Sequence, residues 1–182
     1  MIRIISGKYR HCQIEQPDNK NTRPTMDRVR EAIFSSLRMN LEGKIVLDLF
    51  SGSGAMAIEA ISNYASKAIA IEKNKLVYQT ILKNIKKLNI SNIETFNMDS
   101  ISFLTTKINR VFDYIFVDPP YKEYDLLNEC LYLISKNNFL DKYGYIIVEC
   151  DNPAMIKIPN GFMIQKEKKY GKVYVLYLSH IN

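Results

Sequence analysis

The hydrophobic positions of this chain change rhythm near residue 44. From there, short apolar runs at 45–49, 68–71, 93–96, 111–117 and 145–149 alternate with stretches at 55–62, 75–88 and 126–135 whose apolar residues recur at helical spacing. Runs so short and so continuous are strands buried on both faces, and the helices between them make parallel crossovers. The pattern predicts an α/β fold built on a mostly parallel, doubly wound sheet. Two later segments, 161–168 and 172–179, are joined through Lys169-Tyr170-Gly171 and predict a C-terminal antiparallel hairpin.

The first forty residues follow another pattern. Segments 2–5 and 11–14 flank the turn-like Ser6-Gly7-Lys8-Tyr9-Arg10 and predict a short hairpin, followed by a polar loop over 15–23. Met26, Val29, Ile33 and Leu37 then recur as one helical face, with Thr25 in the capping position and Arg28 and Arg38 on other faces. The chain thus divides into a hairpin, basic loop and helix at 1–40 and a main domain at 41–182.

Composition adds a partner to this outline. A length of 182 residues at 47% hydrophobic suits one core rather than two. No apolar run has the length of a membrane span or a signal-peptide core, so a cytoplasmic protein without membrane contact is expected. Cys12, Cys130 and Cys150 are scattered without paired spacing, which points to reduced thiols and no metal site. The net charge of +6 is uneven: residues 1–30 hold seven Lys/Arg against three Asp/Glu, including five of the seven arginines. Arginine's planar fork suits phosphate oxygens and guanine edges, so Arg23, Arg28 and Arg30 are candidate contacts to a polyanion.

In a doubly wound sheet, ligands bind outside the carboxyl ends of the strands. The first predicted strand ends in Asp48-Leu49-Phe50-Ser51-Gly52-Ser53-Gly54, a glycine turn opening a helix at Ala57 in a G-x-G-x-x-A pattern. By itself this fits nicotinamide cofactors too. Asp48 shifts the choice, because a carboxylate beside the turn repels a pyrophosphate and attracts an ammonium. Glu72, 20 residues after Gly52, can accept both hydroxyls of a ribose, and Asp99 can accept an exocyclic amine or cap the following helix. S-adenosylmethionine carries all the groups these acids would take.

A second motif ends the strand at 111–117. Asp118-Pro119-Pro120-Tyr121 stops the sheet with a stiff turn, since proline donates nothing to a ladder and pushes its predecessor away from helix. Beside such a cofactor the turn has a use. A nucleobase amine is a weak nucleophile, and the Asp118 carboxylate with the Pro119 carbonyl can hold its two hydrogens so that the nitrogen faces a methyl group. Tyr121 can stack on the base.

Asp118 to Tyr121 resembles the motif of amino-group methyltransferases, which act on adenine N6, cytosine N4 or guanine N2. Three further stretches, Arg3 to Arg10, Arg23 to Glu31 and Leu47 to Gly54, are together similar to the bacterial RsmD family, which methylates a guanine N2 of 16S ribosomal RNA. The resemblance spans nearly the whole chain. It implies a Rossmann-like class I methyltransferase fold, S-adenosylmethionine as donor, and 16S ribosomal RNA in the 30S subunit or its assembly intermediates as partner; a monomer is the default expectation. It implies cofactor contacts from Asp48, Phe50, Gly52, Ser53, Gly54, Glu72 and Asp99, and a catalytic corner at Asp118, Pro119 and Tyr121. It also implies an entrance for cofactor and RNA crossed by Arg23 and Thr25. The terminal hairpin matches the family only loosely, and no RNA role is carried to it. A DNA adenine or cytosine methyltransferase and a ribosome-binding module without catalysis are the rival readings.

Overall fold

The computed structural model describes residues 1–17, 27–120 and 122–181. Thr25, Met26, Arg23 and Tyr121 therefore lie outside the described residues. The chain opens with a two-stranded antiparallel ladder of β1 (Ile2–Arg3) and β2 (Gln13–Ile14), then α1 (Asp27–Leu37). The main sheet is built from β3 (Ile45–Asp48), β4 (Lys67–Ile71), β5 (Ile93–Phe96), β6 (Phe112–Val117), β7 (Leu140–Cys150), β8 (Phe162–Tyr170) and β9 (Val173–His180). Between the strands run α2 (Ala55–Ser62), α3 (Lys75–Lys87), α4 (Ser100–Thr106) and α5 (Tyr124–Lys136).

The strand order is β5-β4-β3-β6-β7-β9-β8. The five strands from β5 to β7 are parallel, and β9 and β8 join antiparallel. The expected fold class is what the structure shows. Alternation along each strand sends Val46, Phe116 and Ile147 into a buried cluster with α1 and α2, and Leu47, Ile115 and Val148 into another with α4 and α5. Burial on both faces explains why the strands read as continuous apolar runs. Asn74 caps α3 by accepting from the amides of Leu76 and Val77, and Lys86 and Lys87 in its last turn suit the helix dipole.

One strand of the main sheet starts well before the sequence expectation. β7 starts five residues earlier, because a register shift between Phe112 and Tyr114 lets Leu140 pair with Phe112. Exposed Lys142 and Tyr143 hide this extension from any apolar pattern. The short α4 follows β5 with Asp99 as its cap, one of the two roles expected of that residue.

The first segment shares its core with the sheet. Ile2, Ile4, Ile14, Val29 and Ile33 belong to the same buried cluster as Val46 and Phe116. Polar bonds fasten it to the end of α2: the amide of Ile5 donates to Glu59 Oε1 (2.6 Å) and that of Lys8 to the Ser62 carbonyl (2.7 Å). Gly7 makes this approach possible. Its φ is +79°, and an added Cβ would sit 1.8 Å from the Ser62 carbonyl oxygen.

Candidate active site

The chain leaves β3 toward β4 and β5, then returns to β6 on the other side of β3, so the connections diverge at the carboxyl ends of β3 and β6. A crevice opens at such a point. Here it is a cleft of about 1330 Å³, bordered by Asp48, Gly52, Glu72, Asp99, Asp118 and Glu149 among others.

The glycine turn is held from both sides. Leu49 N donates to the Phe116 carbonyl (3.2 Å) and Ser51 N to that of Ile71 (2.9 Å), which ties the turn to both neighbouring strands. Gly54 precedes α2 at φ +81°, a left-handed conformation that side chains resist, and an added Cβ would meet Ile81 at 3.2 Å. Phe50 and Ser53 also border the cleft. Glu72 reaches back across it: Oε2 accepts from Gly52 N (3.0 Å) and Oε1 from Asn74 N (2.8 Å). Burial raises its carboxyl, against those two hydrogen bonds.

Asp48 carries the main electrostatic feature. It is 3% exposed, and among the described residues its Oδ2 accepts no hydrogen bond. Burial first, and then the carboxylates of Asp118 and Glu72, push its carboxyl up to about 7, against hydrogen bonds from Ser51 and Phe50. A buried, unsatisfied acid is costly unless a donor or cation joins it. The site therefore fits a ligand bearing an ammonium and does not fit a pyrophosphate.

Asp99 is already engaged as the cap of α4. Its Oδ1 accepts from Ser102 N (2.8 Å) and its Oδ2 from the Ser102 hydroxyl (2.6 Å), and these bonds lower its carboxyl. A lone pair on each oxygen remains for a ligand amine at the rim.

Asp118 follows β6 directly, half-buried in the cleft and near enough to Asp48 for their charges to interact. Pro119 is half-buried and Pro120 exposed, and the turn closes when Glu123 N donates to the Pro120 carbonyl (3.1 Å). The structure thus gathers Asp48, Phe50, Gly52, Ser53, Glu72, Asp99, Asp118 and Pro119 around one crevice, with Gly54 in the turn that leads into α2. Arg28 is exposed on α1.

Arg30 corrects the expectation of an RNA-facing arginine. It is 1% exposed, with Nε on Glu59 Oε1 (3.3 Å) and Nη2 on Asp27 Oδ1 (2.9 Å) and the Arg3 carbonyl (2.7 Å). Its charge compensates a buried glutamate instead of reaching a surface partner.

Sequence reasoning also missed several residues. Asn84, fully buried on α3, donates to the Ser53 carbonyl (2.9 Å) and the Glu15 carbonyl (3.0 Å), joining the glycine turn to the first segment. Tyr124 donates to Asp151 and accepts from Asn152 N (2.9 Å) at the cleft wall. A signal was available for Glu149 and Asp151, since they lie at the carboxyl end of the strand next to β6.

Comparison with known proteins gives the chain a family. A family model described as "Conserved hypothetical protein 95" matches residues 2–179. The ribosomal RNA small subunit methyltransferase D of Buchnera aphidicola (Baizongia pistaciae) is 38% identical, over 98% of this chain and 92% of that protein. The chain belongs to the RsmD family. The Escherichia coli K12 ribosomal RNA small subunit methyltransferase D is 37% identical, over 97% of this chain and 89% of that one. Among solved structures, the methyltransferase yhhF of Escherichia coli superposes with a TM-score of 0.89 at 35% identity, covering 98% of this chain and 97% of its own. The fold is that of the class I methyltransferases.

Proposed function

We propose that this protein transfers a methyl group from S-adenosylmethionine to the N2 amine of a guanine in 16S ribosomal RNA of the small subunit. The observation that carries the reading is the buried, unsatisfied Asp48 carboxylate at the switch point beside Asp118. The relatives named as small-subunit ribosomal RNA methyltransferases support the substrate class.

Bound S-adenosylmethionine supplies an electrophilic methyl on a sulfonium. Asp48 would hold its ammonium, Glu72 its ribose hydroxyls and Asp99 its adenine amine, with Phe50, Gly52, Ser53 and Gly54 shaping the turn around it. Asp118 and the Pro119 carbonyl orient the guanine amine toward the methyl, an effect of position and charge. Asp118 is not required as a strong base, because the nitrogen becomes acidic only once methylated and then yields its proton to the carboxylate or to water. Tyr121 stacks on the base in this reading, and Arg23, Thr25 and Arg28 meet the RNA. The protein acts as a monomer in the cytoplasm on 30S particles or their precursors.

The test is transfer of labelled methyl to 30S particles, free 16S RNA and duplex DNA from cells lacking the enzyme, followed by nucleoside analysis. N2-methylguanosine in the RNA is the expected product. Label confined to DNA, or to another RNA nucleoside, would refute the proposal.

A further inference from the structure

The opening of the cleft next to Asp118 holds an acid that the proposed chemistry does not use. β6 and β7 run parallel with Phe116 opposite Ile147 and Val117 opposite Val148. One step further along that register, Asp118 and Glu149 are neighbours. Side chains two residues apart on a strand share a face, so Glu149 leaves the sheet on the side of Ile147, as Asp118 does on the side of Phe116. Asp48, opposite Phe116 on β3, lies on that side too. The flanking Val148 and Cys150 are buried in the opposite cluster. Glu149 is half-buried and borders the cleft.

Three bases carry an exocyclic amine, and their neighbouring ring nitrogens differ. Adenine N1 and cytosine N3 present lone pairs beside the amine, whereas guanine presents the N1–H donor. A single-stranded base splayed out of its stack is read along this edge. Neighbouring strands stand about 4.8 Å apart, close enough for side chains from both to reach one base edge.

We infer that Glu149 selects guanine, its carboxylate accepting the N1–H of the target base while Asp118 holds the N2 amine. The inference rests on the guanine-N2 reading above. Adenine or cytosine in the same pose would set a ring lone pair against the carboxylate, so each is rejected by repulsion as well as by a lost bond. Sites that hydrogen-bond a substrate N–H reject analogues lacking it by factors of up to about 10⁵.

The test uses 30S particles reconstituted with 2-aminopurine at the modified position. This analogue keeps the amine but has a lone pair at N1 and no O6. The full-length enzyme should methylate guanine at least about 10²-fold faster than the analogue. In Glu149→Gln, whose amide can turn to donate, the ratio should fall to within about tenfold. Loss of O6 affects both enzymes equally and cancels in the comparison. Glu149→Met serves as second variant should the first fail to bind cofactor. An unchanged ratio in a variant that binds cofactor, or a wild-type enzyme indifferent to the analogue, would overturn the assignment. Absence of any N2-methylguanosine from wild-type reactions would instead remove the guanine-N2 reading beneath it.

Discussion

Asp48 should make cofactor binding depend on pH. Its carboxyl stands at about 7 rather than 3.8, chiefly through burial, so keeping it ionised without a cation beside it costs about 4 kcal/mol. The folded chain therefore binds more protons than the unfolded chain between about pH 4 and 7. Stability from this group is whole below the unfolded value and is lost as pH rises through the folded one. Asp48→Asn removes the titration, and relative to wild type it should gain up to about 4 kcal/mol of stability by pH 8 and almost nothing at pH 4. Ligand binding has the opposite sign. An ammonium beside Asp48 restores the ionised form, so binding below pH 7 must expel a proton. Affinity for S-adenosylmethionine should then fall about 15-fold from pH 7 to 5.5, approaching tenfold per pH unit at the acid end. Calorimetric titration at pH 6 in two buffers of different ionisation enthalpy should register about one proton released. Affinity that is flat from pH 5.5 to 7, or a slope retained in Asp48→Asn, would refute the assignment of Asp48 to the ammonium.

Other substitutions separate the roles of neighbouring residues. Arg30→Met strands Glu59 as an uncompensated buried acid and should cost about 3–5 kcal/mol in denaturant unfolding. Arg28→Ala should leave stability within about 0.5 kcal/mol while reducing RNA affinity and lowering its salt slope by about one. Gly7→Ala drives a methyl into the Ser62 carbonyl; proteolysis should then release the first segment while the sheet stays folded. Asp118→Ala should bind cofactor normally and lose at least about 10²-fold in methyl transfer to 30S particles.

Much of this was legible from the sequence, for identifiable reasons. Strands buried on both faces read as continuous apolar runs, so β3, β4 and β6 fall within one residue of where the pattern puts them. The glycine turn and the proline corner are equally readable, because their backbone demands admit few residues. Arg30 was misread because a lone arginine on a helix looks solvent-exposed until Glu59, 29 residues away, is known to face it. Asn84 gave no signal at all. Its partners are the backbone amide and carbonyl of Glu15 and the carbonyl of Ser53, and backbone groups leave no trace in the identity of their residues.

The position of β9 between β7 and β8 has a consequence for biosynthesis. Ile146, Ile147 and Val148 pair with Leu178, Tyr177 and Leu176, which the ribosome delivers about thirty residues later. Until then β7 is an open apolar rim, able to template a second nascent chain. Cleavage near residue 160 would recreate that hazard in the mature molecule, and the fragment should precipitate instead of persisting as a smaller enzyme.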